Sequence, residues 1–118
     1  MARLEQFCKA IEQYEGFYFL SRSWRNNNPG NLRWSKFQAG QKAGFAYFNN
    51  YATGWLALWW DVWCKCTGRT TTGLSAESTL LDFFKVWAPS DDGNYPEKFA
   101  LFVANKVGAT IYTKLDFF

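Results

Sequence analysis

Apolar positions recur first at helical spacing. Leu4, Phe7, Cys8 and Ile11 follow the i, i+3, i+4, i+7 rule, which predicts a helix over residues 4–14 with Gly16 as its stop. Residues 17–34 break that rhythm, being dense in Ser, Arg, Asn, Pro and Gly, and read as loop. Between 36 and 48, Gly40 and Gly44 bracket short stretches, and 45–48 fits a brief strand or hairpin. The strongest pattern covers 51–66. Leu56, Trp59, Trp60 and Trp63 make one stripe there, and Trp55, Leu58 and Val62 a second beside it. A helix apolar almost all round is expected to be the buried axis of a small domain, with Trp59, Trp60 and Trp63 mostly core. A third helix is predicted over 76–87, halting at Pro89, and 90–94 reads as a turn. The last helix starts near Tyr95, carries Pro96 in its first turn and closes at Gly108. The expected class is mainly α with at most a short β element.

The 118 residues suffice for a single domain, 1–118, and no repeat or linker divides them. Aromatic residues make up 21%, and their large area lets a short chain build a core. Histidine is absent, which excludes Ser-His-Asp and Cys-His nucleophile systems and zinc sites of the H-E-x-x-H kind. Any proton transfer falls to carboxylates, Lys, Tyr or Cys. The net charge of +3 suits an anionic partner, either cell-wall polymer or nucleic acid, and selects neither. Cys64 and Cys66 lie two apart on a helix and point to different sides, so Cys8 can pair with at most one of them. Free buried thiols are the plainer reading, and neither a metal site nor a cofactor is expected. The first residues, Met1 to Gln6, lack the apolar core of a signal peptide. The most apolar window, 55–64, is too short to span a bilayer and contains Asp61, so no stable membrane insertion is expected.

Candidate chemistry gathers near the first helix. On a wheel with Ile11 at zero, Leu4, Phe7 and Cys8 fall within about 60°, Glu15 at about 40°, and Glu5, Lys9 and Glu12 at about 100° to 160°. Glu12 is therefore expected to face solvent and Glu15 to point toward the core. Burial and the negative end of the helix dipole would both raise the Glu15 pKa, as a glycosidase requires of its general acid. The plain alternative is a helix-end carboxylate that swings into water or pairs with Arg22, Arg25 or Arg33. The run from Arg25 to Arg33 holds four Asn and two Arg around Asn28-Pro29-Gly30-Asn31. Pro fixes one φ and Gly permits a positive one, so a turn is specified; the amides also suit the hydroxyl and N-acetyl groups of a sugar. Rings in loops (Trp24, Trp34, Tyr47, Tyr95) are better placed to stack on a ligand than those on the long helix. Asp91 and Asp92 are paired acids whose plain role is a solvated turn.

Taken together, Glu15-Gly16-Phe17, the Arg25–Arg33 string, Phe45-Ala46-Tyr47-Phe48 before Gly54-Trp55-Leu56, and Trp87-Ala88-Pro89 leading to Tyr95 resemble the lysozyme-like transglycosylase modules of phage and bacterial proteins. The likeness covers roughly residues 8–108, and Asn-Asn-Pro-Gly-Asn is its specific part. It implies a lysozyme-like fold, with a substrate groove between the first helix and the rest. It also implies cleavage of the β-1,4 bond between N-acetylmuramic acid and N-acetylglucosamine in peptidoglycan. The family's catalytic acid maps onto Glu15. Asn27, Asn28, Asn31, Arg33, Trp34, Tyr47, Asp91 and Tyr95 would bind the glycan. A lysozyme needs a second carboxylate, whereas a lytic transglycosylase needs only the acid. The next acids after Glu15 are Asp61 and Glu77, which favours the single-acid mechanism over a hydrolytic muramidase. The expected partner is peptidoglycan strands, cut by a monomer at the bacterial cell wall and brought there by a phage or a bacterial partner. A non-cutting glycan-binding module of the same fold is the alternative from another class. A nucleic-acid binder is disfavoured because the basic residues are scattered, and an endopeptidase because no His or metal site supports one.

Overall fold

The computed structural model describes residues 2–118; Met1, which opens the stretch read for an export signal, lies outside them. Among the described residues the chain is mainly helical, with five α-helices and one two-stranded sheet. It divides into two compact units: Ile11–Asp61, and the residues up to Ala10 together with Val62–Phe118. Both divisions fall inside helices, α1 (Ala2–Tyr14) and α3 (Tyr51–Cys66).

The unit containing Val62–Phe118 is organised by α4 (Leu80–Trp87) packed on α5 (Pro96–Val107). Its core is a chain of phenylalanine rings. Phe7 meets Phe83 edge-on at 5.0 Å, Phe83 meets Phe84 at 4.9 Å, and Phe84 stacks on Phe99 at 4.2 Å. Phe7, Phe83 and Phe84 are fully buried, which contributes about 1.5–3 kcal/mol each. α4 begins at Leu80 rather than at residue 76, because Thr79 and Asp82 close a reciprocal capping box there. The first-turn amides that a helix leaves unpaired also find partners: Leu80 N–H donates to the Thr113 carbonyl and Leu81 N–H to that of Ile111, each at 2.9 Å. The C-terminal segment thereby closes the start of α4. α5 runs as the sequence predicts, with Pro96 in its first turn and Gly108 in the left-handed conformation after its end (φ 72°).

α3 spans the residues expected of it but is not a uniformly buried axis. Its buried positions are Gly54, Ala57, Leu58, Val62 and Cys66, a stripe of mostly small residues. Trp59, Trp60 and Trp63, expected in the core, are half-buried, and Leu56 is exposed. The faces of Trp60 and Trp63 serve cations instead, with Lys36 Nζ 4.3 Å from the Trp60 ring and Arg69 Cζ 4.4 Å from that of Trp63.

The Ile11–Asp61 unit holds the last turn of α1, the short helix α2 (Arg22–Arg25), and a hairpin of β1 (Gly40–Lys42) and β2 (Phe45–Tyr47). The loop expected over 17–34 thus contains one helical turn, capped by the Ser21 hydroxyl, which accepts from Trp24 N–H. The strands pair antiparallel, Gly40 opposite Tyr47 and Lys42 opposite Phe45. Ala43 and Gly44 turn the hairpin with φ of 50° and 83°, the two-residue geometry that suits the strands' twist.

Candidate functional site

The end of α1 is fixed by its backbone. Gly16 adopts φ 76°, its N–H donates to the Gln13 carbonyl at 3.2 Å, and Phe17 N–H donates to that of Glu12 at 3.2 Å. This paired closure makes Glu15 the residue that caps the helix C-terminus, where its side chain is half-buried. The turn thus fixes the Glu15 backbone at the negative end of the helix.

Glu12 corrects the wheel. Expected to face solvent, it is only 8% exposed, and its carboxylate accepts a 2.6 Å hydrogen bond from the Tyr51 hydroxyl. The wheel took its apolar stripe from residues early in α1. At the last turn a tyrosine from the start of α3 covers the helix on the side that the stripe leaves bare, and its hydroxyl satisfies the acid. A Glu and a Tyr 39 residues apart carry no sequence signal that pairs them.

Tyr51 also lines a cavity of about 500 Å³ with Phe17, Trp24, Arg25 and Asn27. The Phe17 and Tyr51 rings lie 5.3 Å apart, and Phe19 meets Trp24 edge-on at 4.9 Å. Three rings, a guanidinium and an amide face a space of sugar size, in the same unit as Glu15 and starting two residues after it.

The asparagine loop shows what its amides do. Asn28 is fully buried. Its Nδ2 donates to the carbonyls of Leu32 (2.9 Å) and Ala46 (3.0 Å), and its Oδ1 accepts from Leu32 N–H (2.9 Å). It therefore stitches the loop to β2 and turns no polar atom to solvent, unlike the ligand-facing role expected of it. Asn27 donates to the Phe48 carbonyl at 3.0 Å while lining the cavity. The positive φ values fall on Asn27 (51°) and Asn31 (50°), and Gly30 does not use the freedom expected of it. Gly30 serves proximity instead, since a Cβ there would come within 2.8 Å of the Leu58 side chain. Gly54 is more tightly held. A Cβ on it would overlap the Asn27 carbonyl oxygen, so only glycine lets the loop lie on α3. Asn26 Nδ2 and Asn31 Oδ1 are buried without a hydrogen-bond partner, two polar atoms that the loop folds in without satisfying.

The remaining candidates fall into two places. Arg33, Trp34 and Tyr47 belong to the hairpin region of the Ile11–Asp61 unit; Trp34 is 67% exposed, and Tyr47 lies over Gly40 with Lys42 Nζ 4.8 Å from its ring. Asp91 and Tyr95 belong to the other unit. There they line a cavity of about 930 Å³ together with Lys85, Asn94 and Lys98, whose Nζ lies 4.9 Å from the Tyr95 ring.

All three cysteines are free, and burial pushes the Cys66 thiol up to about 12, so it is a packing group without thiolate character at neutral pH. Among the described residues no group of three or more His, Cys, Asp or Glu side chains could hold a metal ion, and no helix is long and apolar enough to cross a membrane. Comparison with known proteins finds no matching family model, no similar curated protein and no similar solved structure.

Proposed function

We propose that this chain is a peptidoglycan-cleaving glycosidase of lysozyme-like type, in which Glu15 is the general acid. One observation carries the reading: a half-buried carboxylate at a fixed helix end, followed within two residues by an aromatic- and amide-lined cavity of sugar size. Rings stack on the C–H faces of pyranoses while Asn27 and Arg25 offer polar contacts at their edges. Asn31, Arg33, Trp34 and Tyr47 extend the binding surface in this reading; Asp91 and Tyr95 line the cavity of the other unit and are proposed as glycan contacts there.

In the reaction proposed, Glu15 gives its proton to the glycosidic oxygen as the C1–O bond breaks. It then takes the proton of the muramic acid C6 hydroxyl as that oxygen closes on C1, leaving a 1,6-anhydro end. The single-acid course is favoured because no Asp or Glu occurs between Glu15 and Asp61, and because the neighbouring Glu12 carboxylate is engaged by Tyr51. Hydrolysis by a muramidase mechanism would need a second carboxylate to activate water or attack C1. Mass analysis of muropeptides released from purified peptidoglycan decides between the two. Anhydro ends are expected, reducing ends would assign hydrolysis, and no release over wall that is nonetheless bound would leave a glycan-binding module.

A further inference from the structure

From Gly16 to Trp60 the chain has five basic residues and no acidic one. Two of them converge: the guanidinium carbons of Arg22 and Arg33 lie 4.2 and 4.6 Å from the centroid of the same ring, Phe45 on β2. Neither pairs with a carboxylate among the described residues, and both are exposed. The hairpin turn leaves room for this: a Cβ on Gly44 would stand 3.8 Å from Arg33 Nη1. Lys42, opposite Phe45 in register, rests its Nζ on the neighbouring Tyr47 ring instead, 4.8 Å from the centroid. Like charges repel, and an aromatic face offsets that only weakly. Each planar fork keeps unspent N–H donors, which fit a bidentate oxyanion.

We infer that Arg22 and Arg33, resting on Phe45, form an oxyanion site that takes the carboxylates of the peptides carried by the glycan strand. The inference rests on the reading of the substrate as peptidoglycan and adds to it a preference for peptide-bearing over bare glycan. Carboxylates are the assigned source; the phosphates of a teichoic acid share their chemistry and are separated by the test.

The test measures binding without cleavage, in a Glu15→Gln background, by co-sedimentation with three insoluble walls. One is teichoic-acid-free wall with free-carboxylate peptides, one is the same wall stripped of peptides by an amidase, and one retains teichoic acid. The parent protein is expected to bind the peptide-bearing wall roughly tenfold more tightly than the stripped one at low ionic strength, with the preference fading in salt. Arg22→Gln with Arg33→Gln is expected to abolish that preference, and Arg22→Lys with Arg33→Lys to restore part of it. A thermal melt matching the parent's identifies folded variants, and the Lys pair supplies the comparison if the Gln pair does not fold. The inference is overturned if the folded variants keep the full preference, or if only wall carrying teichoic acid distinguishes them from the parent. Failure to release muropeptides refutes the glycosidase reading alone, because the binding comparison does not depend on turnover.

Discussion

The two units reach order by different means. In the Val62–Phe118 unit, fully buried phenylalanines pack ring on ring, and polar groups act at helix ends, as in the Thr79–Asp82 box. In the Ile11–Asp61 unit the fully buried set includes Asn28 and Pro29, and a side-chain amide does what a strand ladder would do elsewhere. Charge follows the same divide. The first unit holds seven acids to its eight bases, whereas the second holds three acids to five bases, with Glu12 and Glu15 at the end of α1 and the third acid at Asp61. A ring-packed core tolerates conservative change by repacking; an amide-stitched loop does not, because each lost partner leaves a buried backbone group unpaired.

Substitutions in the two units test that contrast. Phe84→Ala should cost about 3–5 kcal/mol in urea unfolding, the largest effect, since it opens a cavity between Phe83 and Phe99. Phe84→Leu should recover most of it; equal losses for both would show that the ring contacts, rather than filled volume, hold that core. In the other unit Gly54→Ala should cost about 3 kcal/mol, because the new methyl and the Asn27 carbonyl claim the same space. A wild-type midpoint for that variant would mean that the loop can leave α3 freely. Asn28→Ala strands two carbonyls and one N–H and should cost about 2–3 kcal/mol, with no conservative replacement recovering it; a rescue by Asn28→Asp would break the comparison.

A dependence on pH also separates the units. Cys66 carries a thiol raised from 9.0 to about 12 in the folded chain, so folding favours its protonated form. Its contribution is complete below pH 9 and is lost as the pH climbs toward 12, as the unfolded chain ionises first. Stability of the wild type should therefore decline over that alkaline window more steeply than that of Cys66→Ala, measured as midpoints at matched ionic strength. The exposed Lys114–Glu77 pair should give the least: Glu77→Gln is expected to leave the melting temperature unchanged.

What the sequence disclosed follows from which forces are local. Helical periodicity and terminal signals are local, so α1, α3 and α5 were legible, as were Gly16 and Gly108 as stops. Burial along α3 was not, because a run of tryptophans records hydrophobic area and not which side a neighbour covers. Small residues make the closest approach, as Gly54 and Ala57 show. The Glu12–Tyr51 bond and the embrace of Phe45 by two arginines join residues distant in sequence, and no spacing rule reports them. In the asparagine string the turn was readable, but that the Asn28 amide faces the chain was set by the position of β2.

The most direct test of the account is the release of soluble muropeptides from purified peptidoglycan by the wild type and by Glu15→Gln, with both shown to be folded by matching melts. Release by the wild type that falls at least about a hundredfold in the variant is the predicted result, the scale expected for losing a general acid. Equal release by the two proteins would contradict it.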